Sequence, residues 1–123
     1  MTSSSRAFLP LTTPEQFDAL VAASSPAVVV IYKHSPTCGT SAQAYDELES
    51  LLDDAPVDIH LVDVLASRAL SQGIAAHTRV RHESPQVLVL RNGIVVWHAS
   101  HWRVTAAALR SVFEGIAEAA QAG

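Results

Sequence analysis

At 123 residues, 49% of them hydrophobic and 16% charged, the chain has the size and composition of one domain built on a single core. The formal charge of -4 and the lack of any Lys/Arg run speak against a nucleic-acid partner, because phosphate binding depends on clustered cations. The opening residues are polar, and the longest apolar run, residues 27–32, is far too short to span a membrane; neither a signal segment nor a membrane partner is expected, and a cytoplasmic setting is.

Residues 1–10, rich in serine, are expected to be a flexible lead-in to one domain over 1–123. Thr13-Pro14-Glu15-Gln16 reads as a capping box with proline at the first helical position, and Phe17, Leu20 and Val21 then share one helical face. That helix should end near Ser25-Pro26. Residues 27–32, Ala-Val-Val-Val-Ile-Tyr, are short, β-branched and apolar on both faces, as suits a central strand covered from both sides. Beyond Ser35-Pro36-Thr37 the period changes: Ser41, Tyr45, Leu48 and Leu52 recur at helical spacing, and Cys38 falls in the first turn.

Residues 58–63 alternate as a strand, and Leu70 with Ile74 marks a third helix. Residues 87–90 and 94–97 are apolar runs joined through Asn92-Gly93, the pair best suited to the positive φ angles of a type I′ hairpin turn. Thr105 can cap a last helix that buries Leu109, Val112, Phe113 and Ile116. The order α-β-α-β-α-β-β-α, with right-handed crossovers, predicts an α/β fold whose mixed four-stranded sheet is flanked by helices.

Cys38 is the chain's only cysteine, which excludes an intramolecular disulfide and an all-cysteine metal site within one chain. A thiolate is the reactive form of such a residue, and a helix N-terminus stabilises negative sulfur through its free N–H groups. Lys33, at the end of the preceding strand, could add a cation nearby. The alternative is a buried, inert cysteine. Six histidines raise the question of a metal, but His98 and His101 lack metalloprotease spacing and His60 alternates with apolar neighbours, so no metal site is expected. Asp63, at a strand's end, could be a buried acid that assists proton transfer, although a helix cap or a solvated loop residue is the commoner case.

This order resembles the thioredoxin fold, most specifically at Cys38 and at Ser84-Pro85 before the hairpin. Tyr32-Lys33-His34-Ser35, the stretch from Arg81 through Val87, and Val96-Trp97-His98-Ala99-Ser100-His101-Trp102 resemble YtxJ-like monothiol bacilliredoxins, over roughly Phe17 to Leu109. The resemblance implies thiol exchange with bacillithiol, a small thiol carrying glucosamine and malate. Cys38 would take bacillithiol from a protein mixed disulfide and be regenerated by a second small thiol, with bacillithiol as co-substrate, no bound cofactor and S-thiolated proteins as partners of a monomer.

It also implies that Ser84-Pro85 is cis and faces Cys38, and that Lys33, Thr37, Gly39, Thr40, Ser41, Glu83, Ser84, Pro85, His101 and Trp102 contact the substrate. Lys33, Arg79, Arg81 and Arg103 would supply charge for the malate carboxylates. Ser41 stands where a two-cysteine relative keeps its second thiol, although a hydroxyl bonded locally to backbone is the plainer reading. Cys38-Gly39-Thr40-Ser41 also approaches the Cys-Gly-Phe-Ser of monothiol glutaredoxins, which leaves an iron–sulfur cluster carrier as one alternative. A redox-inactive interaction module is another.

Overall fold

The computed structural model describes residues 6–23 and 27–122. Its elements are β1 (Leu9–Pro10), α1 (Pro14–Ala22), β2 (Val28–His34), α2 (Gly39–Glu49), β3 (Ile59–Asp63), α3 (Arg68–Thr78), β4 (Gln86–Arg91), β5 (Ile94–Ser100), a 3-10 turn (His101–Arg103) and α4 (Ala106–Ala122). They form the expected α/β fold, with one strand more than expected. The sheet has five strands in the order β1-β3-β2-β4-β5, β2 running parallel to β3 and antiparallel to β4.

The additional strand corrects the reading of residues 1–10 as wholly flexible: Leu9 and Pro10 pair in parallel with His60 and Leu61, and the Leu11 amide donates to the Leu61 carbonyl at 2.9 Å. Residues 1–5 lie outside the described residues, as does the expected helix end at Ser25-Pro26; α1 itself ends at Ala22.

Local signals produced these elements as expected. Thr13 and Gln16 close the capping box reciprocally, Asn92 and Gly93 turn the hairpin with φ of 53° and 81°, and the Thr105 hydroxyl accepts from the Ala108 amide at 3.1 Å.

Strand alternation divides the core between the two faces of the sheet. Val30, Tyr32, Val87 and Val89 pack against Ala44 and Leu48 of α2 and Leu109 and Phe113 of α4. Val29, Ile31, Leu88 and Leu90 pack instead against Phe17 of α1 and Leu70 and Ile74 of α3. By the same alternation Lys33 belongs with Ile31 on the α1/α3 side, while His34 belongs with Tyr32 on the α2 side.

Candidate functional site

Because β4 runs antiparallel to β2, the carboxyl end of β2, the start of β4 and the end of β5 meet at one end of the sheet. Cys38 follows β2 there. The Ser84–Pro85 peptide bond is cis, and the Pro85 carbonyl accepts from the His101 amide at 2.8 Å, which ties the 3-10 turn to this end and against α2. One end of the molecule thus gathers Cys38, Gly39, Thr40, Ser41, Ser84, Pro85, Glu83, His101 and Trp102, far apart in sequence.

Cys38 is the N-cap residue of α2, with extended backbone angles, and is partly exposed. No hydrogen bond of ordinary capping geometry leaves its side chain. The free amides of the first turn nonetheless lie close enough to hold the sulfur's pKa below that of an ordinary thiol. The Ser41 N–H contributes most, against a smaller opposing effect of burial, and the Thr40 N–H and the Ser41 and Thr40 hydroxyls add to it. Proton counting at Ser41 agrees, for its Oγ accepts from the Ser35 amide at 3.2 Å and so keeps its own O–H free to donate to the sulfur.

Several expected contacts need correction. Ser41 is fully buried, so it supports the sulfur and the Ser35 turn and cannot touch a substrate. Lys33 is also fully buried: its ammonium donates to the Ser71 carbonyl of α3 at 3.0 Å and lies 3.2 Å from His82 Nδ1. The period of two along β2 turns it away from α2 and the Cys38 loop. Burial lowers its own pKa to about 8. Pro85 is buried too, so its loop presents the half-buried Ser84 rather than the proline ring.

Arg79 is misplaced for a ligand as well. It ends α3, whose His77 ring bonds the Gly93 carbonyl at 3.1 Å, and so it lies at the hairpin end of the sheet, opposite Cys38. Asp63 caps no helix: it is half-buried and accepts from the Leu65 and Ala66 amides in the turn that follows β3.

The remaining residues are accessible. Thr37, Gly39 and Trp102 are exposed and Thr40 is half-buried. Among the described residues nothing lies within 4 Å of a Cβ built on Gly39, so their packing does not demand the glycine. Glu83 and His101 approach to 3.6 Å. The Ser100 hydroxyl, more than His101, holds the Glu83 carboxyl below the usual range.

Clefts flank the cysteine loop. One of about 270 Å³ is lined by His34, Pro36, Cys38, Ala42, Tyr45 and Asp46. Another, of about 330 Å³, runs between Ser35, the start of α3 at Arg68, His82 and Ser84. The larger hollow of about 800 Å³ lies between the N-terminal segment and α2; it shares Tyr45 and Asp46 with the first cleft but does not contain Cys38.

Sequence reasoning missed His34, Tyr45 and Arg68 as residues of this site. The first two were findable from the face-setting alternation of β2 and the helical period of α2. Arg68 was findable because parallel β3 must deliver the start of α3 to the same end as Cys38.

Comparison with known proteins agrees with this geometry. A family model described as monothiol bacilliredoxin BrxC matches residues 9–109. A solved structure of a candidate oxidoreductase with a thioredoxin fold is 34% identical, with a TM-score of 0.77 over 84% of this chain and 90% of that one. Thioredoxins from Trypanosoma brucei brucei (19% identity, TM-score 0.75, 96% of this chain and 97% of that one) and Halobacterium salinarum, the latter as a mutant (20% identity, TM-score 0.72, 94% and 95%), share the fold.

Proposed function

The chain belongs to the family of monothiol bacilliredoxins, and from that premise we propose that it removes bacillithiol from oxidised protein cysteines through Cys38. Thiol oxidoreductase chemistry is its activity in the broad sense; the small thiol and its direction of transfer are the proposal. The observation that carries it is the partly exposed Cys38 sulfur at the N-terminus of α2, with its pKa lowered by the Ser41 and Thr40 amides.

The thiolate attacks the bacillithiol sulfur of a protein mixed disulfide. A bond forms between the Cys38 sulfur and bacillithiol, the original S–S bond breaks, and the electron pair leaves on the repaired protein thiolate, which takes up a proton. With one cysteine in the chain, a second small thiol then releases bacillithiol from Cys38. Arg68, beside Ser84, and the exposed Arg81 and Arg103 are the cations available to the malate carboxylates once Lys33 and Arg79 are set aside.

A protein carrying one bacillithiol adduct, incubated with this protein and excess bacillithiol, should lose that adduct at a rate that Cys38→Ser abolishes. Equal rates with and without the sulfur would refute the proposal. A glutathione adduct assayed in parallel tests the choice of small thiol, since faster removal of glutathione would reassign the co-substrate.

A further inference from the structure

The cleft beside Cys38 contains an imidazole whose protonation pattern is fixed from behind. Tyr32 is buried, and its hydroxyl lies 2.9 Å from the Ser41 carbonyl and 2.8 Å from His34 Nδ1. A phenol has one proton, and the carbonyl can only accept. The hydroxyl must donate to Ser41, so its oxygen accepts from His34, and the proton of the neutral imidazole sits on Nδ1. His34 Nε2 is then a bare lone pair. It has no protein partner among the described residues, and Gln86 Oε1 is the unpaired buried side-chain atom found among them, which leaves Nε2 open to solvent.

The Tyr32 and Tyr45 rings pack tilted against the imidazole at centroid distances of 5.5 and 5.3 Å, so ring contacts hold it as well as its hydrogen bond. Titratable groups face it from each element packed around it. From β2 comes the Tyr32 hydroxyl, from β3 the Asp63 carboxylate at the paired register position, and from α2 and its cap Tyr45, Asp46 and Cys38. Burial lowers the His34 pKa and Asp63 opposes this in part, so the ring is neutral near neutral pH.

We infer that His34 is the proton-transfer residue for exchange at Cys38, and that Tyr32 is the positioning residue that presents its Nε2 as the base. The inference rests on Cys38 being the exchanging thiol. In the forward step the Cys38 thiol proton passes to Nε2, and the thiolate attacks the near sulfur of the disulfide. As the old S–S bond breaks, the displaced sulfur leaves with the electron pair and takes the proton back from Nε2. One disulfide is consumed and one formed, so no external oxidant or reductant is needed.

Proton return matters only where the leaving thiolate is basic, which separates this role from a structural one. Two probes distinguish the cases: hydroxyethyl disulfide, whose alkyl thiolate is basic, and a nitroaryl disulfide, whose thiolate is not. His34→Gln should slow reaction with the first by about 10-fold or more and with the second by a clearly smaller factor, since the second loses only the removal of the Cys38 proton and not its return. Nitrogen NMR of the histidine rings in the unmodified protein should show His34 protonated at Nδ1, and Tyr32→Phe should release it toward the Nε2–H form. An Nε2–H form in the unmodified protein, equal slowing of both probes, or no slowing of either would overturn the inference while leaving thiol exchange standing. Unmodified protein inert toward both disulfides would overturn both.

Discussion

Replacing Lys33 by methionine separates what this lysine does for the fold from what it does for the sulfur. Its ammonium is inside the α1/α3 face with the Ser71 carbonyl and His82 as partners, and among the described residues no carboxylate pairs with it. Burial takes the pKa from 10.5 to about 8. A fall of between two and three pH units, at about 1.4 kcal/mol each, sets a ceiling of roughly 3 kcal/mol on the cost of holding the charge there. His82, exposed to water, lies against the ammonium and screens it, so the working cost is about 1–3 kcal/mol.

Methionine keeps most of the stem without the charge, and Lys33→Met should stabilise the fold by about 1–3 kcal/mol near pH 7. The folded pKa lies below the unfolded one, so between about 8 and 10.5 the unfolded chain binds more protons and the stability of the unmodified protein rises with pH. The advantage of the variant therefore shrinks across that window and vanishes above it. Urea denaturation at a series of pH values reads this as a converging midpoint at constant slope. A variant that is less stable at neutral pH, or equally favoured at both ends of the window, refutes the reasoning. Alkylation of Cys38 in the same variant should keep its pH midpoint; a rise would return the lysine to the sulfur's surroundings.

The pH midpoint of Cys38 alkylation should lie below the free-thiol value of about 8.5, and a midpoint at or above it would remove the helix amides as its cause. Thr40→Ala should raise that midpoint only slightly, since the Ser41 and Thr40 amides remain; a return to the free-thiol value would make the hydroxyl the main donor. Gly93→Ala should cost about 1–2 kcal/mol in denaturant titration, because Gly93 has φ of 81° and a Cβ there would stand 2.9 Å from Val21 Cγ1. Thr13→Ala should cost about 1 kcal/mol through loss of the capping box, and an unchanged midpoint would show that the first turn of α1 is held by packing alone.

Legibility followed the range of the interactions. Capping at Thr13 and Thr105 and the Asn92-Gly93 turn depend on neighbours within four residues, and the sequence discloses them directly. The strand at Leu9–Pro10 has too few residues to show a period, and it exists because the His60–Leu61 edge accepts it. The placement of Arg79 depended on the direction of α3, which the crossover topology implies but which the expected cationic cluster ignored. Lys33 and His34 differ by one position in a strand, and that difference decides everything about them. The odd residue goes with Ile31 to an apolar face where its charge is a burden, while the even one goes with Tyr32 to the face that carries the sulfur. Reading Lys33 as the cation for Cys38 relied on nearness along the chain. Reading alternation from Tyr32 outward instead selects His34, an uncharged base rather than a cation, and so changes the expected chemistry beside the sulfur from attraction to proton transfer.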